Sequence, residues 1–200
     1  MTQAEWNKSD DAGAILDFVW RRQGVVPRGI GLRFGGVLAE PGAAGGNAND
    51  LASTLHRFYL ASCRGVWRLL PQDGSRYSVE LAERFLAGVA TAQEVNEANY
   101  YAEGAAFCID YDTAPQEIAR WVEEVRAIPD AELRSMLHGA EAADEVEPRE
   151  LLKRAAYFAD YAMIYPSLSP QGPPPETYRL FLSAAVLRQH VEYPAEPRAP

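Results

Sequence analysis

Along most of the chain, apolar positions recur every three or four residues, the spacing that lays a single stripe along a helix. The longest stripe reads Leu51, Leu55, Phe58, Tyr59, Ser62, Cys63, Val66, Leu69 and Leu70. It predicts a helix capped by Asp50 and stopped by Pro71. A second stripe, Val79, Ala82, Phe85 and Leu86, follows Asp73-Gly74-Ser75 and closes near Gly88, as a left-handed cap would. Thr91-Ala92-Gln93-Glu94 is a capping box, with hydroxyl and carboxylate each satisfying the other's backbone, and it opens a helix through Val95, Ala98, Ala102, Ala106 and Ile109.

Pro115 suits a first helical turn, and Ile118, Trp121, Val122 and Val125 place one apolar face on the segment up to Ala127. Pro129 and Asp130 break and restart the chain. Leu133, Met136 and Leu137 then form a short helix closed by Gly139, and the acidic stretch Glu141 to Glu147 reads as a solvated link. From Pro148, the positions Leu151, Leu152, Ala155, Phe158, Ala159, Ala162 and Met163 face one way until Pro166. Four prolines between Ser167 and Pro175 exclude regular structure there. A last helix carries Leu180, Phe181, Ala184 and Leu187, and residues 193–200 form a loose Pro-rich tail.

The first fifty residues are less periodic. Ile15, Phe18 and Val19 suit a helix ending near Gly24, with Trp6 anchoring its approach. Eight glycines lie between Gly24 and Asp50, a stretch that reads as a surface insertion, with a short hairpin conceivable around Ile30 to Leu38. The expectation is a single all-α domain over residues 1–192, a bundle of about seven or eight helices bearing this Gly-rich insertion.

Several of these residues carry a resemblance. Thr2, Ala4, Glu5 and Trp6, then Leu16 to Phe18, the helix from Leu55 to Trp67-Arg68-Leu69-Leu70, and Val79 to Phe85 before Gly88 occur in one order. Together they resemble a family of uncharacterised helical proteins common in planctomycete bacteria, which open Thr-x-Ala-Glu-Trp and carry an Arg- and Cys-containing helix ending Trp-x-Leu-Leu. The resemblance covers the first half of the chain and implies an all-helical fold and no particular activity. The Gly24–Asp50 insertion, Ser62 and Gly65 depart from that pattern.

At 200 residues and 48% hydrophobic, the chain can bury a core without a metal or disulfide, which leaves Cys63 and Cys108 as free thiols. A net charge of −9 repels phosphate backbones and disfavours nucleic acid. No apolar run approaches the ~18 residues of a membrane span, and Met1 to Asp11 lacks the basic and apolar regions of a secretory signal. A cytoplasmic location is expected.

The catalytic and metal motifs that the sequence suggests are each incomplete. Asp110-Tyr111-Asp112 after Ala105 to Ile109 imitates the paired carboxylates of haloacid-dehalogenase phosphatases, but Ala114 stands where Thr or Val belongs and the segment reads as a helix end. His56, His138 and His190 are far apart, and no metal-ligand spacing joins them to a cysteine. Gly29 to Gly35 misses the dinucleotide-binding spacing. No catalytic, cofactor or metal residue is therefore assigned. Arg57, Arg64 and Arg68 align at spacings of seven and four and form one positive stripe. They either meet Glu80 and Glu83 of the next helix or dock an acidic protein partner or phosphorylated ligand. The expected function is a non-catalytic regulatory or protein-interaction domain. The alternative is a small-molecule binder or hydrolase with a pocket among Tyr100, Tyr101, Tyr111, Tyr157, Tyr161 and Tyr165 and with Asp110 and Asp112 at its edge.

Overall fold

The computed structural model describes residues 1–22, 47–138, 146–164 and 176–194. Among them are ten helices, eight of seven residues or longer, and no strand. They are α1 (Gln3–Lys8), α2 (Ala12–Arg22), α3 (Asn47–Gly65), α4 (Asp73–Leu86), α5 (Ala92–Asp110), α6 (Pro115–Arg126), α7 (Asp130–Met136), α8 (Pro148–Ile164), α9 (Glu176–Arg179) and α10 (Ala184–His190). The all-α expectation is correct.

Local chemistry sets many of these boundaries. Thr91 caps α5 with its hydroxyl accepting from the Glu94 amide at 3.2 Å, while the Glu94 carboxylate accepts from the Thr91 amide at 2.7 Å. Gly88, at φ 73°, closes α4: its own amide bonds the Phe85 carbonyl and the following Val89 amide reaches back to Arg84. Only a residue without Cβ takes that left-handed turn cheaply. Pro115 opens α6 at its first turn.

The structure adds one element to the expected set and corrects three expectations. Residues 2–5 form a second capping box, Thr2 with Glu5, which opens the short helix α1. The helix containing the longest stripe begins at Asn47, so Asp50 lies within α3 rather than capping it. That helix ends at Gly65 instead of running on to Leu70. A 3-10 turn over Trp67–Leu69 follows and still buries Val66, Leu69 and Leu70. The last helix is divided, because Ser183 pairs with Asp11 in an isolated antiparallel bridge and then caps α10 through the Val186 amide. Most of the Gly-rich insertion, Gly139, and the four-proline segment lie outside the described residues.

Helices α4, α5 and α8 pack on one another, with α3 and α6 also against α8 and α10 against α3. The buried side chains form one cluster, from Trp6 near the start to Val191 near the end. Its aromatic centre is Phe58, Tyr59, Phe158 and Phe181, with ring centroids 5.2 Å apart for Phe58–Tyr59 and 5.4 Å for Phe158–Phe181. Such pairs add about 0.5–1.5 kcal/mol each beyond the area they bury. Tyr193, assigned from sequence to the tail, packs its ring 5.7 Å from both Trp6 and Phe18.

Candidate functional site

The arginine stripe lies where α3 and the 3-10 turn meet α4 and α7, and each guanidinium has a partner within the chain. Arg57 donates to the Leu86 carbonyl at 3.2 Å, one of the acceptors left over at the end of α4. Arg64 forks onto Glu83 at 2.9 and 2.6 Å, with Glu80 at 3.7 Å, and this pairing raises its already high pKa. It also covers the Trp67 ring, 4.0 Å from the centroid. Arg68 reaches Glu132 on α7 at 2.6 Å.

Asp110 and Asp112 close the other end of α5 against the first turns of α8. Tyr157 donates its hydroxyl to Asp110 at 3.0 Å, and Lys153 lies 3.6 Å from the same carboxylate. Arg149 bonds Asp112 at 2.7 Å and the Ile109 carbonyl at 3.1 Å. The two carboxylates thus face separate cations. The preceding run is helical, as the sequence reads, and the tyrosines divide: Tyr111 and Tyr157 pack on Phe107 beside Asp110. Tyr101 stands nine residues earlier on α5, about 13 Å along the axis. Tyr165 lies outside the described residues.

Cys63 is fully buried, and burial pushes its thiol pKa up, so it packs as a small hydrophobe. His56 is also buried; desolvation holds its pKa down at about 4, partly offset by backbone groups of Met163 and Ala162. Among the described residues no three His, Cys, Asp or Glu side chains gather as a metal site. No helix among them is long and apolar enough to cross a membrane.

Two further features lie together at the start of α4. The first is a cleft of about 310 Å³ between Pro71–Gly74, α5 and α6, walled by Tyr101 and Trp121 and carrying Asp73, Glu117 and Arg120. The helices approach closely beside it: a Cβ on Gly74 would lie 2.8 Å from the Tyr101 carbonyl oxygen. Gln72, in the N-cap position, is 1% exposed, and neither end of its amide has a hydrogen-bond partner. In the sequence Gln72 is a lone polar residue between a proline and a helix start and carries no periodic signal. The second feature is aromatic surface. Tyr77 on α4 and Tyr101 on α5 meet edge-on at 5.9 Å yet stay 49% and 61% exposed, and neighbouring Tyr100 is 67% exposed. No protein-family model matches the chain, and no curated protein or solved structure does so either.

Proposed function

We propose that this protein is a non-catalytic recognition domain that binds a protein partner across the outer face of α4 and α5. The observation that carries the reading is the exposed tyrosine group, Tyr77, Tyr100 and Tyr101. A tyrosine ring offers large, stiff contact area with a polar tip, and such rings dominate the energetics of protein interfaces. Exposed Asp73 stands one turn before Tyr77, and exposed Glu97 one turn before Tyr101. Acidic rims around aromatic faces favour a partner that presents Arg or Lys, which gains cation–π contact and charge complementarity together.

Docking of an acidic partner or phosphorylated ligand on Arg57, Arg64 and Arg68 ranks second, because it requires exchange of the bonds to Leu86, Glu83 and Glu132. A hydrolase using Asp110 and Asp112 would likewise have to release Lys153 and Arg149.

The test is affinity capture from the native cell with the wild-type chain and with a Tyr77→Ala/Tyr100→Ala/Tyr101→Ala variant, followed by calorimetry on any protein captured. The reading expects a partner whose affinity falls at least tenfold in the variant, weakens with salt, and is unaffected by Arg57→Lys/Arg64→Lys/Arg68→Lys. Binding that tolerates loss of the tyrosines but not of the arginines would replace it with the second reading.

A further inference from the structure

We infer that the cleft at the start of α4 is a socket for an arginine side chain of the partner protein, an inference that rests on the tyrosine reading above and extends it to α6. Tyr101 belongs to both surfaces: its ring meets Tyr77 on the exposed aromatic face, and it lines the cleft together with Trp121. A chain laid across that face therefore has the cleft within reach of one side chain. Gln72 lines the cleft too, but both of its amide atoms are enclosed, so the polar chemistry open to a ligand belongs to Asp73, Glu117 and Arg120. All three are exposed.

The charges select a cation. Asp73 stands in the first turn of α4 and Glu117 in the first turn of α6, and neither carboxylate has a hydrogen bond or ion pair among the described residues. Acidic residues suit the first turn of any helix; what sets this pair apart is that both border one cleft with aromatic rings in its wall. Arg120 lines the cleft as well, and its Nε lies 3.8 Å from Glu124 on its own helix. At about 310 Å³ the cleft far exceeds the ~30 Å³ share of one water, so it has room for an organic head group. A guanidinium is planar and weakly hydrated, and its rigid fork of donors can lie on a ring and still serve carboxylates from two helices. An ammonium is compact and holds its water. The chain already makes this combination within itself, where Arg64 covers the Trp67 ring at 4.0 Å from the centroid while forking onto Glu83. The cleft presents the same kinds of partner to an arginine from outside.

The test begins without a partner. Full-length ¹⁵N-labelled protein is titrated with acetyl-arginine-methylamide, acetyl-lysine-methylamide, the uncharged isostere acetyl-citrulline-methylamide and free L-arginine. The readout is the indole N–H resonance of Trp121, assigned through bonds and checked by its loss in Trp121→Phe. The inference expects saturable movement with the capped arginine, at least fivefold weaker response to the capped lysine and none to the citrulline. Arg120→Gln should tighten binding by removing a competing cation, and Asp73→Asn/Glu117→Gln should weaken it at least fivefold. Should that double variant fail to fold, the comparison of arginine with citrulline on the wild-type chain decides alone. No saturable response to the capped arginine, or a citrulline response that matches it, overturns the inference. A response confined to Arg120→Gln does the same, because the chain's own arginine then fills the cleft. Free L-arginine binding more tightly than the capped form would assign the cleft to a free ligand and overturn the partner protein as its source. The two readings fail separately. A positive titration with no tyrosine-dependent partner removes the tyrosine reading and leaves the guanidinium socket. A captured partner whose affinity falls in the tyrosine variant but not in Asp73→Asn/Glu117→Gln keeps the tyrosine reading and overturns the socket.

Discussion

Arg188 in α10 donates from Nε and Nη2 to a single acceptor, the carbonyl oxygen of Trp6, at 3.0 and 2.8 Å, joining positions 182 residues apart. The same guanidinium also bonds the Ser9 carbonyl. One side chain thereby satisfies the carbonyls around the end of α1 and fixes α10 beside them. Hydrogen bonds to a charged group contribute about 1.5–3 kcal/mol, and removing the cation leaves partly buried carbonyls unmet. Arg188→Leu should lower the thermal midpoint by roughly 3–10 °C at this chain length. Arg188→Lys should recover only part of that, because an ammonium cannot reproduce the fork. Wild-type melting in both variants would show that the tie contributes nothing.

Two helical glycines should respond oppositely to alanine. Gly104 in α5 is exposed and has open space where a Cβ would go, so Gly104→Ala should stabilise by about 0.5–1 kcal/mol through helix propensity alone. Gly74→Ala gains the same propensity but drives a methyl to 2.8 Å from the Tyr101 backbone oxygen. Backbone cannot swing aside as a side chain does, so net destabilisation of about 1–3 kcal/mol is expected. Urea unfolding of the two variants checks the sign of each.

The bidentate Arg64–Glu83 pair should contribute little despite its good geometry. Its side chains are 39% and 35% exposed, and exposed pairs are typically worth about 0.2–1 kcal/mol. A double-mutant cycle with Arg64→Met and Glu83→Gln should return a coupling in that range that shrinks as salt is raised. A coupling above about 2 kcal/mol would mark the pair as a structural anchor and count further against the stripe as a docking surface.

How much of this was legible in advance depends on how local the cause is. The Thr91–Glu94 box and the Gly88 cap were readable because every atom involved lies within a few residues. The Thr2–Glu5 box uses the same residue types, but α1 is only six residues long and carries no stripe to draw attention to it. The end of α3 was overshot because the 3-10 turn continues to bury Leu69 and Leu70, so periodicity outlasts the helix. The break between α9 and α10 depends on Asp11, far away in sequence. The arginine stripe was found, and so were two of its partners, since Glu80 and Glu83 belong to the very next helix. Glu132 was not, because its approach to Arg68 depends on how α7 packs. Gln72 was illegible for the same reason: the cleft beside it is completed by Tyr101 and Trp121, from helices that come later.

His56 should make the fold sensitive to acid. Its pKa is about 4 in the folded protein against 6.5 for a free imidazole, because charging it means burying an ion whose Nε2 has no partner. Between these values the unfolded chain binds the proton and the folded one does not. Stability from this residue is therefore complete above pH 6.5 and is lost as pH falls towards 4, by roughly 3 kcal/mol. Relative to wild type, His56→Gln should therefore gain stability in urea unfolding as pH falls from 6.5 to 4, the difference being constant above 6.5.

Asp160 should act with the opposite sign. Its Oδ1, on α8, is buried without a hydrogen-bond partner, and burial, with Glu103 adding like-charge repulsion, raises its pKa from 3.8 to about 7. Between these values the folded state holds the proton and the unfolded state does not. Its contribution is fully present below pH 3.8 and is lost as pH rises to about 7, on the order of 4 kcal/mol, after which it is constant. Asp160→Asn cannot charge, so the variant should be more stable than wild type at pH 8 and nearly equal to it at pH 4. Over the shared window His56 gains stability as pH rises while Asp160 loses it, so the two slopes largely cancel and the wild-type profile set by these two residues should be nearly flat between pH 4 and 6.5. Each single replacement should therefore unmask the slope of the other residue, and urea titrations in half-unit pH steps on both single variants and the double variant would show whether the two effects add, as those of residues without shared partners should.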